Sequence, residues 1–168
     1  MVTRRQLLQT TALFTGGIVM GCNQSGANDN GWTMPDEAMA HQRTWMAFST
    51  SERIWGQQLL PEVRRNLVTI AQTIAQYEPV SMLVRAEEYD LARDLLGSSV
   101  ELIVSPLDDL WIRDTGPLFV LSNQGKKAAI DFNFNGWGKK QVFQQDAAVA
   151  AFVAQDRKST RLNSSHTV

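Results

Sequence analysis

Cysteine is almost missing from this chain of 168 residues: there is one, Cys22. A single thiol excludes an intramolecular disulfide framework and a cysteine-rich zinc site. An excess of charge is missing too. Lys and Arg number 16 against 17 for Asp and Glu, for a net charge of -1. Nucleic acid calls for a basic stripe, so none is expected as a partner. No internal run is long and apolar enough to span a membrane, which leaves membrane contact to the N-terminus. What remains, 43% hydrophobic and 20% charged residues, is the composition of a globular domain. The length suffices for one domain with a real core.

The place of the one cysteine is informative. "MVTRRQLLQTTALFTGGIVMGC" sets Arg4 and Arg5 before a moderately apolar stretch from Leu7 to Met20. This is the layout of an export signal, a basic start followed by a short apolar run and small residues. The paired arginines and threonine-rich run resemble a twin-arginine signal. "VMGC" resembles a lipobox, whose cysteine is lipidated and becomes the new N-terminus. A buried amphipathic helix is the plainer alternative, but Thr10, Thr11 and Thr15 interrupt any stripe and Gly16–Gly17 weaken it. We therefore expect an export signal over 1–21, lipid attachment at Cys22 and a polar tether over 22–31. The expected location is the periplasm or a membrane-anchored bacterial lipoprotein. A lipidated Cys22 is not a nucleophile.

Order is expected to begin near Trp32. "TWMAFS" (Thr44–Ser49) reads as a strand. From Leu60, apolar residues at Val63, Leu67, Ile70, Ile74 and Tyr77 step by three and four, which is helical, with Pro61 suited to the first turn. "PVSMLV" alternates as a strand. "AEEYDLARDLLG" reads as a second helix closed by Gly97. "VELIV" is a buried strand, and "PLFVLSNQGKKAAIDFNF" a hairpin turning at Asn123 and Gly125. "GWGKK" is a loop, and "QQDAAVAAFVAQ" begins a third helix. Strands alternating with helices predict an α/β fold, generically a doubly wound sheet, although the hairpin does not suit a simple βαβ series. The end, "DRKSTRLNSSHTV", turns polar and basic with no strand pattern. It is either a flexible tail or, since "RKSTRLNSSH" resembles a translated adaptor, a non-native addition over 157–168.

Between two strands lies "SPLDDLWIRDTGP" (Ser105–Pro117), which crowds Asp108, Asp109 and Asp114 around Trp111 and Arg113. It has three readings. A solvated acidic loop with Arg113 paired inside it accounts for the charges but not the tryptophan. A metal site suits clustered carboxylates, but the alternating ligand pattern is missing, no histidine is adjacent, and Arg113 lies inside the cluster. No metal or cofactor is therefore expected. A cation pocket uses the tryptophan face and a carboxylate that accepts two parallel bonds from a guanidinium. Trp111 and Asp114, three apart, reach one pocket if the segment turns. Chemistry alone leaves this reading level with the first.

"WTMPDEAMAHQRTWMAF", "PLDDLWIRDTGPLFV" and "IDFNFNGWGKK" together resemble the agmatine deiminase and bacterial-type peptidylarginine deiminase family, over about Trp32 to Gln155. The resemblance implies the pentein fold, a five-bladed pseudosymmetric α/β propeller, of which residues 32–156 supply N-terminal blades only. It implies attack of a cysteine thiolate on a guanidinium carbon, with loss of ammonia and release of a ureido product. The substrate is a small guanidine or an arginine-containing peptide. The resemblance makes Asp114 the catalytic guanidinium-binding carboxylate and Trp111 the aromatic beside it. Asp109 and Arg113 join the substrate-binding set, with Arg113 expected to brace the loop by ion pairing. Asp108 and Asp109 shape the entrance or cap backbone amides. Asn135, Trp137 and His41 fall in family signatures without an assigned role. The family's histidine block and nucleophilic cysteine lie beyond the matching part, and His166 is in the suspect tail. The chain is expected to be an inactive N-terminal fragment, or else an exported module that binds arginine-like ligands without turnover.

Overall fold

The computed structural model describes residues 31–156 and 160–163. The expected export signal, Cys22, the tether as far as Asn30, and His166 lie outside these residues. Two sheets form rather than the single wound sheet of the generic expectation. One is parallel, in the order β2 (Thr44–Phe48), β3 (Val80–Val84), β4 (Glu101–Val104). The other is mixed and runs β1 (Trp32–Thr33), β5 (Leu118–Ser122), β6 (Lys127–Asp131), β7 (Thr160–Asn163). The β5–β6 hairpin belongs to this second sheet, which is why it fitted no βαβ series.

The parallel sheet is covered on both faces, so β3 is buried at every position. Alternation still decides which face each residue serves. Met46, Phe48, Val80, Met82 and Val84 pack against α1 (Glu52–Ile74) and α2 (Tyr89–Leu96). Ala47 and Leu83 point the other way, onto Leu107 and onto Val149 and Val153 of α5 (Val149–Asp156). Each large buried side chain here stabilises by roughly 1.5–3 kcal/mol relative to exposure.

Helix α1 begins earlier than the periodicity shows. Ser51 caps it, its side chain accepting from the Arg53 N–H at 3.2 Å. Gly56, with φ 69 and ψ 161, breaks it into two. The break shortens the run ahead of Pro61, which is the fifth residue after Gly56 and sits inside the helix, so the Gln57 carbonyl lacks its usual N–H partner there. Ala71 rather than Ile70 faces the sheet, and Ile70 is 50% exposed. Gly97 ends α2 with φ 70, as its cap position predicts. No described helix is long and apolar enough to cross a membrane.

The polar end also departs from expectation. Thr160–Asn163 form β7, parallel to β6. A strand is gained there through backbone pairing at the free edge of β6, which needs no apolar pattern and so left none to read.

Candidate active site

The loop after β4 closes on the short helix α3 (Ile112–Thr115), with Trp111 at its N-cap. One turn separates Trp111 from Asp114, and the spacing of three brings both to one side. There they meet Trp137. Its indole N–H donates to Oδ1 of Asp114 at 3.3 Å. Its ring stands edge-on to Trp111, with centroids 6.3 Å apart and planes at 83°. Trp111 and Trp137 are about two-fifths exposed, and Asp114 is exposed, so the site opens to solvent.

Asp109 has a different situation. It is 3% exposed, and both oxygens are occupied. Oδ1 accepts from the Leu110 N–H at 2.8 Å and from the Trp55 indole at 3.2 Å. Oδ2 accepts from the Trp111 indole at 2.9 Å. Oδ2 keeps a second lone pair, but at this burial a substrate reaches it only if the covering indoles move. Trp55 and Trp111 lie 6.0 Å apart at 35°.

Asp108 does cap amides, across the chain rather than within its own loop. Its Oδ2 accepts from the N–H groups of Gln145 and Asp146, at 2.8 and 3.3 Å. Asp146 reciprocates. Oδ1 takes the Asp108 N–H at 2.8 Å and the Asp109 N–H at 3.3 Å, and Oδ2 takes the latter at 3.2 Å. The clasp ties the acidic loop to the start of α5. Burial lifts the Asp146 carboxyl to about 6; the two backbone bonds oppose the rise, and the charges of Asp108 and Asp109 add to it.

Arg113 corrects an expectation. It makes no ion pair among the described residues. Two residues beyond Trp111 on a helical turn, it points away and lines a separate groove of about 640 Å³ with Met34, Phe119 and Phe132. None of Asp108, Asp109, Asp114 and Asp146 has a cation within ion-pair distance among the described residues. His41 is remote in role, paired with Glu78 at 3.2 Å. Among the described residues no group of three histidine, cysteine or acidic side chains is placed to hold a metal.

The segment "FNGWGKK" is not a plain loop. Gly136, Trp137, Gly138 and Lys139 have φ of 67, 52, 78 and 61. The Lys139 N–H bonds to the Asn135 carbonyl at 2.8 Å and the Lys140 N–H to that of Gly136 at 3.0 Å. Together they make α4 (Gly136–Lys139), one left-handed helical turn. Such a conformation costs roughly 1–2 kcal/mol at each residue with a Cβ, here Trp137 and Lys139. Gly136 is obligatory: a Cβ there would sit 2.7 Å from Phe143 and 2.8 Å from the Gln141 carbonyl.

Sequence reasoning missed Trp55, which gives no signal on its helix. It also missed Asp146, whose place before an apolar helical run is a capping signal. Its capped amides belong to another loop, 37 and 38 residues away.

Residues 33–168 match the family model for Porphyromonas-type peptidyl-arginine deiminase. A Streptomyces coelicolor relative is 38% identical over 130 residues, covering 72% of this chain and 37% of its own. An agmatine deiminase of Ectopseudomonas mendocina is 36% identical over 110 residues, covering 65% and 30%. The solved agmatine deiminase of Enterococcus faecalis superposes with a TM-score of 0.74 at 24% identity, over 80% of this chain and 38% of that one. The chain thus spans about two-fifths or less of the length of these relatives.

Proposed function

The chain belongs to the Porphyromonas-type peptidyl-arginine deiminase family, with part of the pentein fold, and from that premise we propose that it carries the guanidinium-holding half of a deiminase site. The observation that supports this is the exposed Asp114 carboxylate held by Trp137, which in turn stands against Trp111, with no cation of the chain paired to it among the described residues. A guanidinium supplies what is missing. It stacks on an indole face, an interaction worth about 0.5–2 kcal/mol, and forks onto the carboxylate with charge-assisted bonds. Asp109 acts through the two indoles it holds. The substrate is a small guanidine, such as the agmatine of the relatives' names, or an arginine side chain.

In the reaction so proposed, a thiolate adds to the guanidinium carbon and ammonia leaves. Water then releases the ureido product and restores the thiol. Asp114 keeps the cation flat and the carbon in line for attack. The only thiol of this chain is Cys22, which we assign to lipid attachment after export. The 168-residue chain therefore binds guanidines without turning them over. Incubation of the purified chain with agmatine tests this: calorimetry is expected to register binding, and a colorimetric assay no ureido product. Turnover that survives Cys22→Ser would contradict the assignment.

A further inference from the structure

The left-handed turn α4 presents the largest side chain of all in a backbone conformation that bulky residues avoid. Its neighbours hold it there. The Asn135 side chain accepts from the Gly138 N–H at 2.8 Å. Phe134 meets the Trp137 ring edge-on at 5.0 Å, and Phe143 backs Phe134 at 6.5 Å. A right-handed turn would send the indole elsewhere, because the side-chain direction reverses with the sign of φ. Here the indole N–H reaches Oδ1 of Asp114.

Resting on the reading of the site given above, we infer that Trp137 is a positioning residue that makes Asp114 selective for guanidinium over ammonium, and that Asn135 is the latch that sets it. An exposed aspartate can turn about its side-chain bonds. A donor fixed on Oδ1 selects one orientation and presents the plane of the carboxylate outward. Oδ1 retains a second lone pair, and Oδ2 takes no hydrogen bond among the described residues, so a forked guanidinium finds both oxygens. The orientation matters to a planar, bidentate cation. It matters little to an ammonium, which is a compact charge with freely rotating donors. Trp137 also stands edge-on to the half-exposed Trp111, so indole surface on which a flat group can stack lies near the carboxylate.

The test compares two dications of similar length, agmatine and 1,5-diaminopentane, titrated calorimetrically into the purified chain. Trp137→Phe keeps an aromatic ring and removes the donor. Asn135→Ala leaves every ring in place and removes the latch. Both are expected to weaken agmatine about five- to tenfold and to leave 1,5-diaminopentane unchanged. Asn135→Asp, which restores a capping oxygen, is expected to recover agmatine affinity. Equal losses for the two dications, or no loss for either, would overturn the inference while Asp114→Asn still abolished agmatine binding. If the wild-type chain binds neither dication, or Asp114→Asn changes nothing, the reading of the site falls and the inference with it.

Discussion

Two buried carboxylates, in two regions of the molecule, are neutralised in opposite ways. Glu88, beside the parallel sheet, is 6% exposed and faces two arginines. Arg85 grips it at 2.8 Å, Arg64 stands 3.6 Å away, and the Thr50 hydroxyl donates at 2.7 Å. Asp109, in the loop after β4, is as deeply buried but has only neutral donors, two indoles and one amide. Asp146 beside it has amides alone. The first arrangement is complete in itself and fastens the start of α1 to the start of α2. The second leaves negative charge without a cation partner among the described residues, near the exposed Trp111 and Asp114. Charge arranged in this way is costly to hold in an empty site and is relieved by a cation from outside. The difference teaches that the scaffold half of the chain carries its own counter-ions, whereas the site half has none among the described residues and, on the reading proposed above, would draw them from the ligand.

The largest effect is expected where the pairing is complete. Glu88→Gln leaves two arginines facing a neutral amide, and urea denaturation should show a loss of about 2–4 kcal/mol, the partly hydrated arginines keeping it below the deepest cases. No loss would mean that the arginines are served by solvent, and the contrast with Asp109 would disappear.

Asp146 sharpens the other side. Its folded value of about 6 lies above the ordinary 3.8, so between those limits the folded chain holds a proton that the unfolded chain has released. The contribution is therefore fully present below pH 3.8 and is lost as pH rises through 6. The span is at most about 3 kcal/mol. Wild type should thus exceed Asp146→Asn in stability by more at pH 4.5 than at pH 7.5. A difference independent of pH would show that amide bonds fully offset the buried charge.

A smaller effect is expected from Asp109→Asn. One oxygen becomes a donor that opposes an indole N–H, at a cost of about 1–2 kcal/mol. Tryptophan emission should shift to the red as Trp55 or Trp111 loosens. Unchanged emission would mean that the indoles are held by packing alone.

The scaffold was far more legible in the sequence than the site. Val80, Met82 and Val84 announce a strand by alternation, and the steps through Val63 and Leu67 announce a helix, because burial imposes a period on sequence. Two sheets in place of one could not be read, since the hairpin's partners, Trp32–Thr33 and Thr160–Asn163, are short and lack a pattern of their own. In the site, Trp111 and Asp114 could be paired from their spacing, because a helical turn is local. The reach of Trp55 to Asp109 spans 54 residues and that of Trp137 to Asp114 spans 23, and nothing local encodes such contacts. Two glycines around Trp137 hint at positive φ, but that four successive residues share it follows only from the contacts of Phe143 and Asn135.

The claim that the loop awaits an external cation is tested most directly by melting the chain with and without agmatine, in the wild type and in Asp114→Asn. A ligand that binds only the folded state raises the melting temperature in proportion to its occupancy. The account predicts a rise for the wild type that grows with agmatine concentration. It predicts almost none for Asp114→Asn, whose own melting temperature without ligand should match or exceed that of the wild type. Equal rises in the two proteins, or a lower melting temperature of the ligand-free variant together with no rise in the wild type, would contradict it, and would make the aspartate part of the loop's own scaffolding.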